Sequence, residues 1–115
     1  MGLFSKKSKN TNTSTSTLKI TVTNDGAEYT FLLDGRLDTM TSPDLETKIN
    51  EVGDKATKLT FDLDKLEYIS SAGLRVLLGA AQAMEDKGEM IVRNLSQTVR
   101  DVFELTGFNL LFTIE

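Results

Sequence analysis

Residues 67–75 read EYISSAGLR, Glu67 to Arg75. They set the chain's smallest residues at the point where a strand hands over to an apolar helix. Upstream, KLTFDL (58–63) alternates Leu59, Phe61 and Leu63 with polar residues, the period of a half-buried strand. Downstream, AGLRVLLGAAQAMEDKG carries Leu74, Leu77, Leu78, Ala81 and Met84 on one helical stripe, with Gly88 as its expected stop. Its other face holds Val76, Gly79, Ala80 and Ala83, so this helix is expected to pack closely on several sides.

A helix start needs one capping serine, and here there are two, Ser70 and Ser71. Gly73 in the first turn costs about 1 kcal/mol of helix stability relative to Ala. One reading is a plain cap above close packing. The other is a surface that something approaches. Free N–H groups and the helix dipole favour an anion at this end. A serine there could therefore carry a phosphate, about −1.5 to −2 charges, without melting the fold. A flat neutral patch would become bulky and dianionic, and a partner docked on it would be expelled.

Working outward, LKITVT (18–23) alternates as a strand, Asn24-Asp25-Gly26 signals a hairpin turn, and AEYTFLLD (27–34) returns until Gly35 breaks it. In GRLDTMTSPDLETKINEVG, Ser42 is the expected N-cap, with Pro43 first in the helix and Asp44 and Glu46 in its first turn. Leu45, Ile49 and Val52 form the inward stripe, ending at Gly53. GEMIVRN (88–94) reads as a strand. SQTVRDVFELTG (96–107) reads as a helix capped by Ser96, with Val99, Val102, Phe103 and Leu105 or Thr106 inward, and LLFTIE (110–115) as a closing strand. The order ββαβαβα plus a short strand predicts a single α/β domain, a mixed sheet of four to five strands with helices mainly on one face. Residues 1–16, ending in TNTSTST, read as a polar tail, and 17–115 as the folded domain.

Composition removes several classes of chemistry. The 115 residues include no cysteine and no histidine. That excludes disulfides, thiolate metal sites and Ser-His-Asp catalysis. The net charge is −4, and three of the thirteen basic residues are Lys6, Lys7 and Lys9. The remaining chain sets ten basic against seventeen acidic residues, an acidic body unlike a nucleic-acid binder. No run is long enough to span a membrane, and the opening lacks the apolar middle of a signal peptide. MGLFSK places Lys6 where N-myristoylation needs a hydroxyl residue. A cytoplasmic location is the expectation.

KLEYISSAGLRVLL, following KLTFDL, resembles the phosphorylation-site region of the anti-sigma factor antagonist branch of the STAS domains, whose pattern is roughly Asp-Ser-Ser/Ala-Gly-Leu. GRLDTMTSPDLE is similar to that family's Gly-x-Leu/Ile-Asp and helix-starting Ser/Ala-Pro region, and VRDVFELTGFNLLFTI to its last helix and strand. The resemblance covers about Leu18 to Glu115. It implies a phosphoacceptor at Ser71, with Ser70 as the competing candidate. It implies a partner surface made by Asp38, Thr39, Ser70, Ser71, Ala72, Gly73 and Arg75. Two positions depart from the pattern: Ser70 stands where Asp is common, and Arg36 where Glu is frequent.

The implied function is a switch, not an enzyme. The unphosphorylated domain would bind an anti-sigma factor that is itself an ATP-using serine kinase, freeing a sigma factor. Phosphorylation of Ser71 would end the binding and a serine phosphatase would reset it. ATP and its metal would belong to the partner, so no cofactor is expected here. The rivals are a STAS scaffold or ligand-sensing module in another signalling complex, and a serine hydrolase acting through Ser71. Asp62, Asp64 and Glu67 invite a metal site but read better as a solvated strand exit, with no glycine turn or ordered third oxygen after them. Asp38 has a bland reading too, a loop-end carboxylate bonded to its own backbone. Phe103 and Phe108, on either side of Gly107, read as core packing.

Overall fold

The computed structural model of the protein describes residues 17–115. The expected polar tail, 1–16, lies outside the described residues. Strand β1 (Leu18–Asp25) turns back into β2 (Glu28–Leu37) as the Asn-Asp-Gly hairpin. Then follow α1 (Ser42–Val52), β3 (Lys58–Ile69), α2 (Ser71–Met84), β4 (Glu89–Arg93), α3 (Gln97–Thr106) and β5 (Thr113–Ile114). The five strands form one sheet in chain order. β1 and β2 are antiparallel, whereas β2–β3, β3–β4 and β4–β5 are parallel. Parallel neighbours need a crossover, and α1, α2 and α3 supply the three.

Alternation aims Phe31 and Leu33 of β2, and Leu59, Phe61 and Leu63 of β3, at the same side of the sheet. Phe31 and Phe61 are register partners, and their rings stack with centroids 5.0 Å apart. Leu45, Leu74, Leu77, Val99 and Phe103 from the three helices join them in one buried cluster. One face of the sheet is therefore covered by helices. The opposite face carries the cross-strand row Thr23, Thr30 and Thr60.

Several boundaries differ from the sequence reading, each for a physical reason. Gly35 does not break β2. Its φ is +117°, and a Cβ there would fall 2.1 Å from the Thr17 carbonyl oxygen. The missing side chain lets that carbonyl accept from the Arg36 amide at 2.9 Å, and the strand continues to Leu37. β3 likewise runs on from Leu63 to Ile69. Two register shifts against β2 insert extra residues into β3, so Leu66 and Ile69 still turn inward after the strict alternation is lost.

Ser42 is not the N-cap of α1. It is the first helical residue and buried, while Thr41 occupies the cap position. α2 ends at Met84, ahead of the expected stop at Gly88, and buries Ala80 where the sequence pointed to Ala81. In α3, Ser96 caps and Gly107 ends the helix as expected, but Leu105 is 89% exposed and Thr106 also faces out. The closing strand is only Thr113–Ile114, because a 3-10 turn (Phe108–Leu110) uses the residues before it. That turn brings Phe112 within 5.8 Å of Phe103 and 6.1 Å of Phe108, centroid to centroid, as core packing.

Candidate functional site at the start of the second helix

The β2–β3 ladder ends where Leu37 and Ile69 pair, and one more bond, from the Ser70 amide to the Leu37 carbonyl, extends it by a step at 2.9 Å. Two loops therefore leave the sheet side by side. One begins with Asp38 and the other with Ser70. The sequence-predicted residues Asp38, Thr39, Ser70, Ser71, Ala72, Gly73 and Arg75 all lie on these two segments.

The two serines have different jobs. Ser70 has extended backbone angles, and its Oγ accepts from the Gly73 amide at 3.3 Å, so it is the N-cap. Ser71 is the first helical residue, exposed, and its hydroxyl makes no hydrogen bond among the described residues. Gly73 is buried. A Cβ on it would meet Leu37 Cγ at 2.7 Å and Ile69 Cγ1 at 3.1 Å. Its smallness serves the helix–sheet contact beneath the site, not an approach from solvent. Ala72 is partly buried and Arg75 exposed.

Asp38 organises the neighbouring loop. Its Oδ1 accepts from the Met40 amide at 3.0 Å and the Thr41 amide at 3.1 Å, and its carbonyl accepts from Ser42. The buried Thr41 hydroxyl donates to the Arg36 carbonyl and accepts from the Asp38 amide, both at 2.9 Å. The Thr41 amide holds the Asp38 carboxyl below its ordinary value of 3.8, against an opposing push from desolvation; the Met40 amide, the Thr41 hydroxyl and the Arg36 charge act with it. The bland reading of Asp38, a local backbone partner, describes these bonds. Its place beside Ser70 keeps it on the same surface.

Four further contacts and positions here come only with the fold. Arg36 lies 4.0 Å from the Asp38 carboxylate and 4.3 Å from the centroid of the Tyr68 ring, joining the ends of β2 and β3. Met40 is 83% exposed on the Asp38 loop. Glu46 of α1 and Arg75 of α2 line a cleft of about 230 Å³ between the two helices, together with Pro43, Ala72 and Val76. The Asp-x-x-Thr spacing of residues 38–41 is the signal that could have revealed the loop, since a carboxylate three residues before an amide is a capping pattern. Nothing in the sequence marks the cleft, which needs two helices to exist.

At the acidic strand exit, Asp62 is satisfied by its neighbours. Asp62 accepts from the Asp64 amide and from Asn94 Nδ2, each at 3.1 Å, and lies 3.5 Å from Arg93. Among the described residues no group of three or more carboxylates is arranged to hold a metal ion, and no helix is long and apolar enough to cross a membrane.

The arrangement has known relatives. A family model for the STAS domain matches residues 19–115. BtrV of Bordetella bronchiseptica, named as an anti-sigma factor antagonist, is 35% identical over 99 residues, covering 84% of this chain and 85% of that one. The crystal structure of an anti-sigma factor antagonist from Mycobacterium paratuberculosis superposes with a TM-score of 0.78 at 24% identity, covering 84% of both chains. The Bacillus cell fate determinant SpoIIAA in its phosphorylated form superposes with a TM-score of 0.68 at 22% identity, covering 84% of this chain and 91% of that one. The domain match, the identity to BtrV and the shared fold agree: this chain belongs to the STAS domain family, in its anti-sigma factor antagonist branch.

Proposed function

We propose that this chain is a phosphorylation-gated anti-sigma factor antagonist. Unphosphorylated, it binds an anti-sigma factor that is also a serine kinase, and a sigma factor is released. The kinase then transfers a phosphoryl group to Ser71, the complex separates, and a serine phosphatase restores the binding form. ATP stays with the partner. The chain supplies an acceptor hydroxyl and the surface around it, formed by Asp38, Thr39, Ala72 and Arg75.

The observation that carries this reading is the division of labour between the serines. Ser70 is committed to capping α2, whereas Ser71 beside it is exposed, its hydroxyl unengaged among the described residues. A phosphate at the first helical position sits where the helix dipole is favourable, so the added charge changes the surface and leaves the fold intact. The relatives' names and the phosphorylated state of SpoIIAA support the same reading.

The test is a pull-down from the source organism's lysate with wild type, Ser71→Asp and Ser71→Ala, the bound proteins identified by mass spectrometry. Wild type and Ser71→Ala should retain an ATP-binding kinase, and Ser71→Asp should lose it. If all three retain the same proteins, Ser71 is not the gate, and a constitutive scaffold takes this reading's place.

A further inference from the structure

Ser71 is the first residue of α2 and Arg75 lies four residues on, so both share one stripe of the helix with Cβ atoms about 5–6 Å apart. Long side chains on a helix lean back toward its N-terminus over the preceding turn. That lean carries Arg75 toward Ser71. Arg36 and Arg93 each have a carboxylate within 4.0 Å, but Arg75 has no ion-pair partner among the described residues. It stands exposed at the edge of the α1–α2 cleft. The charged group that shares the cleft with it is Glu46 of α1, and on the adjoining loop Asp38 is already bonded to its own backbone and near Arg36.

We infer that Arg75 is a positioning residue that works in both states of the switch. While Ser71 is unmodified, the guanidinium is free to meet a carboxylate of the docking partner. Once Ser71 carries a phosphate, the guanidinium folds back one turn and forms charge-assisted hydrogen bonds to the phosphate oxygens, where its planar fork fits. Modification then does two things to the docking surface. It adds a dianion and it withdraws a cation. A partner carboxylate placed for Arg75 meets the phosphate in its stead, so separation needs no rearrangement of the backbone.

The inference rests on Ser71 being the modified residue, and its test is kept separate from the partner. Phosphoserine is placed at position 71 during translation, so no kinase is required, and the phosphate is titrated by phosphorus NMR in otherwise wild-type protein, R75Q and R75K. A free phosphoserine titrates near about 6. The wild-type phosphate should titrate lowest, R75Q should rise by roughly 0.15–0.4 pH unit, as expected of an exposed helical ion pair, and R75K should fall between them. The Arg75 Nε–H resonance of the unsubstituted protein should move with the same titration, which gives a readout that does not depend on any variant. Equal values in wild type and R75Q, or an Nε–H signal that ignores the phosphate, overturns the clamp even if the pull-down succeeds. A failed pull-down with the NMR shifts present overturns the partner reading and leaves the clamp standing.

Discussion

The amide of Ser70 donates to the carbonyl of Leu37 at 2.9 Å, so the step that ends the β2–β3 ladder also sets α2 beside the loop into α1. Asp38 and Ser71 each follow one partner of that bond. Leu37 is fully buried, and its side chain fills the space that the missing Cβ of Gly73 leaves open. The site is thus an extension of the core.

Ser70 and Ser71 should separate cleanly by stability. Ser70→Ala removes the cap and should cost about 0.5–1 kcal/mol, the lower part of the usual range because the Oγ to Gly73 distance is a long 3.3 Å. Thermal unfolding should show this as a fall of a few degrees (about 4–8 °C per kcal/mol for a domain near this size). Ser71→Ala should leave the midpoint nearly unchanged. Equal losses for both would show that Ser71 also holds the helix start.

Gly73→Ala sets two effects against each other. The helix gains about 1 kcal/mol in propensity. The new methyl lies 2.7 Å from Leu37 Cγ, and forcing it into a packed core costs about 1–3 kcal/mol. The net should be destabilising. In a Leu37→Ala background, itself a loss of about 2–5 kcal/mol, the closer clash partner is gone and only Ile69 Cγ1 at 3.1 Å remains, so Gly73→Ala should turn neutral or stabilising. Urea unfolding of the four proteins measures the coupling, and simple additivity would show that the methyl is accommodated elsewhere.

Much of this was legible in the sequence because it depends on local patterns. Leu59, Phe61 and Leu63 alternate on a strand, Leu74, Leu77 and Met84 recur at helical spacing, and Ser96 sits at a cap position; all took the expected roles, while the choice of Ser70 over Ser71 as the cap of α2 came with the fold. What escaped depends on contacts between distant segments. Gly35 read as a break because nothing local reveals the Thr17 carbonyl that needs its space. Gly73 read as room for a visitor because Leu37 is thirty-six positions away. Ser42 reads as a cap by local pattern, but the Asp38 carboxylate accepts from the Met40 and Thr41 amides and the helix starts one residue earlier. Arg75 was named from the sequence, but the α1–α2 cleft at whose edge it stands appears only once two helices are docked.

Leu105 tests the corrected face of α3. Its position in the apolar pattern points inward, yet it is 89% exposed, and Leu110 after the helix is 83% exposed. Leu105→Glu and Leu110→Glu should each change stability by no more than about 0.5 kcal/mol, as for other surface positions. Phe103→Ala on the buried face of the same helix should cost about 3–5 kcal/mol. A large loss from Leu105→Glu in urea unfolding would place that side chain in the core.

Asp38 should mark the acid side of the stability curve. Its folded pKa is lowered from 3.8, chiefly by the Thr41 amide, so the charged form is the one the fold prefers. A group of this sign contributes fully above its unfolded value and loses the contribution as pH falls through the folded value. Asp54 is also lowered, by its hydrogen bond and charge contact with Lys87 near the far end of α2, and acts in the same window. Wild-type stability should therefore decline as pH drops below about 4, the ordinary range of these carboxylates. Asp38→Asn keeps the shape of the acceptor without the charge, so it should lower stability at pH 7 while flattening the acid limb. Asp54→Asn should flatten a further part independently, because the two carboxylates share no partner. Chemical denaturation at pH 7, 5, 4 and 3 gives the comparison. An acid limb as steep in the double variant as in wild type would show that other carboxylates set it and that Asp38 is not held in its charged form.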